Sequence, residues 1–394
     1  MGTDSFRQFC TDKLALLDER HRRRHSIETR RLPGLRVQRR RGDDVVTLVD
    51  FSSNDSLGLA HHPAVVAAAT AALVDGAGSG GSRLVSGAHA HLHALETAVA
   101  AHKGTEAALV VGSGWLANVG VIPALVGNGD VVVVDALAHA SLMTGVRLAD
   151  NAGARVDVVA HNDLAAYAEA LSDARHRHPK GRILVVTESV FSMDGDIAPL
   201  PALRALCDAH DAWLLVDDAH GFLLDLDTEA PARFAHVVTG TLSKAAGSYG
   251  GTIAGPAPLC ALLLSRARPV LFGTSLPPSV VAAALAAMQL AHDDTARRQR
   301  PLRLARRLCA AANLPAPASH IVPVIVGDER EAMQLMERLA ADGFLVVAIR
   351  PPTVAVGTSR LRIAVSAGHT DDDIDGLAAS LVRHMKPALT KVTA

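Results

Sequence analysis

Six short apolar runs, each followed within a few residues by a polar cluster, constrain this chain more than any other feature. They cover residues 107–111, 131–134, 156–159, 183–187, 213–216 and, more weakly, 236–238. Such short, continuous runs read as strands buried on both faces of a sheet. Between most of them lie stretches with helical spacing, such as 62–73, 164–175 and 200–210. The alternation predicts an α/β domain with a mostly parallel central sheet and helices on both faces. In that architecture ligands gather at the carboxyl ends of the strands. The polar residues follow the rule: Ser113 and Gly114, Asp135 and His139, Glu188 and Ser192, Asp217 and His220, Thr241 and Lys244 each come just after an apolar run.

Beyond an Ala-rich helix at 280–290 the pattern changes. A basic helical stretch (297–307) leads into strand-like runs at 321–326 and 345–349, with a helix at 331–341 between them. "SRLRIAVSAG" reads as a third strand, and "DDDIDGLAASLVRHM" as a final helix whose acidic first turn suits the helix dipole. This predicts a small α+β C-terminal domain. The expected division is an N-terminal arm (1–45), a large α/β domain (46–290) and the small domain (291–394).

In the arm, arginines crowd "RHRRRHSIETRRLPGLRVQRRR". Two readings stand: a solvated helix followed by an extended segment, or a patch for an acidic ligand or partner protein. Nucleic acid is the weaker form of the second, because no aromatic residues interleave for stacking. The net charge of −1 also argues against a surface built to track nucleic acid. With aromatics at 3%, the core must be built from Ala, Val and Leu. Cys10, Cys207, Cys260 and Cys309 are scattered without a CxxC, as in reduced cytosolic proteins. No secretory signal is visible, and no apolar run approaches the roughly 20 residues of a membrane span. The expectation is a soluble, cytoplasmic protein with no membrane partner.

The chemistry concentrates in "TGTLSKAAGSYGG" (239–251) and "WLLVDDAHG" (213–221). Lys244 and Asp217 each follow an apolar stretch. A lysine amine and a strand-end carboxylate are the two groups that pyridoxal 5'-phosphate chemistry requires. The amine forms a Schiff base with the cofactor aldehyde, and the carboxylate keeps the pyridine nitrogen protonated. Each alone is ordinary loop chemistry; the ordered pair carries the signal. "VVGSGWLANVG" (110–120) predicts a strand, a tight turn and a helix start. There the backbone N–H groups of Ser113, Gly114 and Trp115 can face a phosphate. "GAGSGGSRL" (76–84) lacks the Gly-Lys-Ser/Thr of a nucleotide loop, and "HAHLH" (89–93) lacks a matched third ligand, so no metal is expected.

The motifs, in order, resemble those of the α-oxoamine synthases, fold-type I pyridoxal-phosphate enzymes. The similar stretches include "FSSNDSLGLAHHP", "GSGGSRLVSGAHAHLHALE", "SGWLAN", "HASL", "HND", "TESVFSMDGDIAPL", "VDDAHG", "GTLSKAAGSYGG", "TSLPP" and "RLRIAVSAGHT", spanning 51–370. The resemblance implies an aminotransferase-like fold, pyridoxal phosphate as cofactor, and condensation of an amino acid with an acyl thioester. Lys244 would hold the cofactor and remove the α-proton of the bound amino acid. Asp217 would pair with the pyridine nitrogen, His139 stack on the ring, and His220 bond the phenolic oxygen. Gly114, Trp115 and Thr241 would bind the phosphate, and Ser192 would help position the cofactor. Thr274 and Ser275 would reach the phosphate of the neighbouring subunit in a homodimer with shared sites. Arg362 would clamp the substrate carboxylate, with Arg360 as fallback and Asn54 nearby. Arg22 is the nearest match to the arginine on the acyl-donor side.

"AIRPPTV" is most similar to the biotin-pathway branch, which joins L-alanine to a pimeloyl thioester of coenzyme A or acyl carrier protein. A branch taking glycine or serine with another thioester, and a non-catalytic partner subunit, remain alternatives; retention of Lys244 argues against the last. Two departures stand out. Ser56 replaces the usual Tyr, and "FLLDLDTEAP" replaces a glycine-rich run after His220.

Overall fold

The computed structural model describes residues 4–19, 23–24, 26–42 and 44–385. A first helix, Ser5–Glu19, buries none of its residues. Strands β1 (Thr29–Leu32), β2 (Arg36–Arg41) and β3 (Asp44–Asp50) follow as an antiparallel meander. Then come β4 (Ala107–Val111), β5 (Val131–Asp135), β6 (Arg155–Val159), β7 (Ile183–Glu188), β8 (Trp213–Asp217), β9 (Val237–Thr241) and β10 (Gly251–Gly255). These form one seven-stranded sheet in the order β4-β10-β9-β8-β7-β5-β6. β10 alone runs opposite to the other six strands. The mostly parallel sheet is therefore as the alternation predicts. The sequence reading lacked β10, because "GTIAG" has glycine at both ends and little apolar length.

Alternate residues of these strands supply two cores, as the period of two requires. Val132, Val134, Leu184, Val186 and Leu215 pack on one face with the helices Gly114–Leu125 and Ala140–Asn151. Val131, Val133, Ile183, Val185, Leu214 and Val216 pack on the other with Leu164–Arg177 and Leu200–Ala209. Burial on both faces explains why the runs are continuous rather than alternating.

The chain ends with β11 (Ile321–Gly327), β12 (Phe344–Leu345), β13 (Val347–Ile349) and β14 (Ser359–Ala364). The single strand expected at 345–349 is in fact two. Phe344–Leu345 joins β3 in parallel, whereas Val347–Ile349 pairs with β14. The buried Val346 marks the crossing between sheets. The strands of the arginine-rich arm thus form a four-stranded sheet, β1-β2-β3-β12, that includes C-terminal backbone. Phe51, just past β3, lies in the C-terminal core with Leu304, Leu308, Val322, Ile363 and Leu377. No helix among the described residues is long and apolar enough to cross a membrane.

Candidate active site

The parallel strands β4, β5, β7, β8 and β9 present their carboxyl ends along one edge, and the candidate residues stand there. Asp217 closes β8 and is buried. Its Oδ2 accepts from Asn118 Nδ2 at 2.7 Å, and its Oδ1 accepts from the Ala219 N–H at 3.0 Å. Asn118 in turn donates to Ser141 Oγ at 2.9 Å and accepts from Thr239 Oγ1 at 2.7 Å, so its amide is locked on both sides.

Lys244 follows β9 in a turn, and its Nζ lies 2.8 Å from His220 Nε2. Burial lowers its pKa to about 8, against the opposing pull of Asp217 and Glu188; Arg362 adds to the lowering. Burial, Lys244 and Arg362 also push His220 well below the usual imidazole range. His139 caps the helix Ala140–Asn151, accepting on Nδ1 from the Ser141 N–H. Its exposed ring meets Trp115 edge-on at 6.2 Å between centroids. Although the residue is exposed at the surface, desolvation of the inner part of the ring, with Lys244 adding, lowers its pKa against the pull of Asp217. The His139 backbone N–H donates to Glu188 Oε1 at 2.6 Å. Burial, reinforced by Asp217, drives the Glu188 carboxyl well above its ordinary value.

The end of β4 leads into a helix start that could receive an anion. Ser113 caps the helix Gly114–Leu125, accepting on Oγ from the Leu116 N–H. A Cβ on Gly114 would sit 3.1 Å from Thr241 Cβ and 3.2 Å from the Gly240 carbonyl oxygen. Glycine therefore suits the close packing of the helix start on the end of β9. On the neighbouring strand, a Cβ on Gly251 would lie 2.1 Å from the Ser113 carbonyl oxygen. Thr241 Oγ1 stands 2.7 Å from Ser243 Oγ and donates to the Gly250 carbonyl. Thr274 bridges to Ser82, and Ser275 Oγ is buried without a partner. Leu84, Val85 and Phe272 are exposed around this pair.

On the C-terminal side, Arg362 of β14 is buried. Its Nε donates to the Ser192 carbonyl oxygen at 2.5 Å and its Nη2 to Asn54 Oδ1 at 3.2 Å. Burial lowers its pKa to about 10. Arg360, two residues earlier, is ion-paired with Asp194, which leaves Arg362 as the arginine facing the site. Ser192 thus contributes its backbone through Arg362. Ser56 does not face open space: its Oγ lies 3.0 Å from Nε2 of the fully buried His320.

Arg22 lies outside the described residues. His89 is a helix cap, accepting from Leu92 N–H on Nδ1, with Nε2 against the Leu276 carbonyl. The segment after Gly221 lines a cavity of about 270 Å³ with Ser189, Val190, Ile197 and Asp218. Lys244 and Arg362 are not among its lining residues. The sequence reading did not single out Asn118, Ser141, Ser243 or His320. Asn118 and Ser141 sit inside helices, and His320 stands before a strand rather than after one, so the strand-end rule passes over them.

The residues fit pyridoxal phosphate. A buried carboxylate, a lysine amine, an imidazole and a helix that starts with glycine stand at one sheet edge.

Residues 46–381 match the family model described as aminotransferase class I and II. The chain is 50% identical over 386 residues to the 8-amino-7-oxononanoate synthase of Maricaulis maris, covering 96% of each. It is 52% identical over 381 residues to the protein of the same name from Methylobacterium sp. (strain 4-46), covering 96% of this chain and 97% of that one. The structure of a serine palmitoyltransferase from S. paucimobilis with bound PLP–myriocin superposes with a TM-score of 0.85 at 28% identity, covering 96% of this chain and 97% of that chain.

Proposed function

Because this chain belongs to the aminotransferase class I and II family, in its α-oxoamine synthase branch, we propose that it condenses L-alanine with a pimeloyl thioester. Carbon dioxide and the thiol carrier leave, and 8-amino-7-oxononanoate for biotin synthesis remains. The carrier is coenzyme A or acyl carrier protein. The near full-length identity of about half to two relatives bearing that enzyme's name carries this reading.

Pyridoxal phosphate, when bound, supplies the electron sink for charge that develops at the amino acid's α-carbon. Lys244 would hold it through its amine, Asp217 would face its pyridine nitrogen, and the 113–115 turn with Thr241 would hold its phosphate. His139 would cover one ring face and His220 would face the phenolic oxygen. Arg362 would bind the alanine carboxylate in a charge-assisted pair. Lys244 Nζ, with its pKa lowered to about 8, is basic enough to take the α-proton and acidic enough to return it near neutrality. Asn118, clamped between Asp217, Ser141 and Thr239, keeps the carboxylate from turning.

The enzyme would act in the cytoplasm as a homodimer. The exposed Leu84, Val85 and Phe272 around Thr274 and Ser275 support a partner covering that surface. Light scattering of the purified protein checks the dimer.

The functional test supplies L-alanine, glycine or L-serine with pimeloyl-CoA or palmitoyl-CoA and follows thiol release and carbon dioxide. Turnover with alanine and the pimeloyl donor should exceed every other pair at least tenfold. A preference for serine and palmitoyl-CoA would transfer the chain to the other branch.

A further inference from the structure

His139 opens the helix Ala140–Asn151 as its N-cap, and its Nδ1 accepts from the Ser141 backbone N–H at 3.3 Å. The Ser141 side chain reaches the same atom: its Oγ lies 2.7 Å from His139 Nδ1. Ser141 is buried, as are Asn118, Asp217 and Thr239, which stand behind it. Asn118 Nδ2 lies 2.7 Å from Asp217 Oδ2 and 2.9 Å from Ser141 Oγ, and its Oδ1 lies 2.7 Å from Thr239 Oγ1.

The partners themselves fix where each proton points. A carboxylate only accepts, so the Asn118 NH2 faces Asp217 and its carbonyl takes the Thr239 hydroxyl proton. The second hydrogen of that NH2 goes to Ser141 Oγ. An NH2 only donates, so Ser141 accepts there and its own proton is left for its other partner, His139 Nδ1. The Ser141 backbone N–H also only donates, so Nδ1 is an acceptor toward both and bears no hydrogen. Desolvation, with Lys244 adding, holds the His139 pKa below its ordinary value against the pull of Asp217. The ring is therefore neutral near pH 7, and its one N–H is on Nε2.

We propose that Ser141, its hydroxyl turned by Asn118, is a positioning residue that locks His139 as the Nε2–H tautomer and leaves that ring no free lone pair with which to take a proton. Nδ1 is occupied by Ser141, and Nε2 already carries hydrogen. A ring in this state can cover a cofactor but cannot act as a base, which leaves removal of the α-proton to Lys244. This functional half rests on the reading of His139 as the ring that covers the cofactor. Every link from Thr239 through Asn118 and Ser141 to His139 is a hydrogen bond of 2.9 Å or shorter.

The test uses the full chain labelled with ¹⁵N-histidine, before and after pyridoxal phosphate is added. His89 is an internal reference: its Nδ1 accepts from the Leu92 N–H, and its Nε2 lies 3.0 Å from the Leu276 carbonyl oxygen, which only accepts. His139→Gln and His89→Gln assign the two rings. Long-range ¹H–¹⁵N correlations should show both rings protonated on Nε2 and bare on Nδ1. Asn118→Asp keeps the shape but turns the donor facing Ser141 into an acceptor, and the new carboxyl shares one proton with Asp217. The Ser141 hydroxyl should then turn to that carboxyl, and Nδ1–H should become the major form of His139. Ser141→Ala should make both forms detectable. Melting temperatures identify a variant that fails to fold; if Asn118→Asp does, Ser141→Ala, which removes a single oxygen, decides. Hydrogen on His139 Nδ1 in the unsubstituted chain, or a tautomer unmoved in the folded variants, overturns the proposal. His139 signals that do not shift on addition of the cofactor refute the placement of His139 there and leave the Ser141 lock intact.

A second readout is exchange of the alanine α-hydrogen in heavy water, with pyridoxal phosphate supplied and no acyl donor. Lys244→Ala should exchange at least about a hundredfold more slowly than the unsubstituted chain. Exchange that survives in Lys244→Ala and is lost when His139→Gln is added would reveal a base at His139 and overturn the proposal. Exchange that survives both substitutions would refute Lys244 as the base and leave the His139 tautomer intact.

Discussion

Both oxygens of Asp217 are held by the chain itself, one by the Asn118 amide and one by the Ala219 N–H. An asparagine here would set its NH2 against one of these two N–H donors, so Asp217→Asn removes the charge and loosens one of the two hydrogen bonds. Asp217→Asn is expected to retain pyridoxal phosphate and to lose about a thousandfold in turnover, because an unprotonated pyridine is a poor electron sink. Steady-state kinetics with a cofactor stoichiometry check it; near-normal turnover would move the role elsewhere. Lys244→Ala should release the cofactor on dialysis. Borohydride treatment and peptide mapping should label Lys244 in the unsubstituted chain. A label on Lys180, which is exposed, or on Lys103, which donates to Asp218 Oδ2 at 2.8 Å, would overturn the assignment. Lys244 and Asp217 could be found in the sequence because each follows an apolar run. Lys103 could not be known as a buried ion-paired residue, since a lysine at a helix end resembles any solvated one until Asp218 is folded against it.

At the scale of elements, the strands that sequence reasoning located are those with continuous valine and leucine. β10 escaped it for want of apolar length. The division at Val346 escaped it because both halves are apolar, and the sheets that claim them lie far away in sequence. Loops held by side chains were also illegible. His161, after β6, stands between Asp135 Oδ1 at 2.9 Å and Asp196 Oδ2 at 2.8 Å, tying the β5 end to the turn after β7. Burial alone would lower its pKa, but hydrogen bonds to these two carboxylates hold it above the ordinary value. A histidine whose pKa is raised on folding stabilises fully below its unfolded pKa, about 6.5, and loses that contribution as pH rises through the folded value. The melting temperature of His161→Gln should therefore fall further below that of the unsubstituted protein at pH 6 than at pH 9. Equal deficits at both pH values would mean that the charge contributes nothing.

For the whole molecule we propose that residues 46–290 and 291–394 are the large and small folding units and that 1–45 is an arm, which β12 ties to the small unit. Arg36 pairs bidentately with Asp373, at 2.7 and 3.2 Å. Asp373 also completes the capping box of the helix Asp371–His384. Asp373→Ala should cost about 2 kcal/mol, through both the cap and the stranded arginine, and Arg36→Ala about 1 kcal/mol. Calorimetry checks the order, and equal losses would assign the whole effect to the pair. Arg362, reaching from the small unit to Ser192 and Asn54, has a consequence for the shape of what can bind. A guanidinium has five N–H bonds, and its carboxylate partners approach either along the side bearing Nε or across the two terminal nitrogens. With Nε committed to the Ser192 carbonyl, the lateral approach is closed. If Arg362 receives the amino acid's carboxylate as proposed, the acid group would come end-on, to Nη1 and to the Nη2 hydrogen not given to Asn54, and its plane would be fixed before any other part of the amino acid is read.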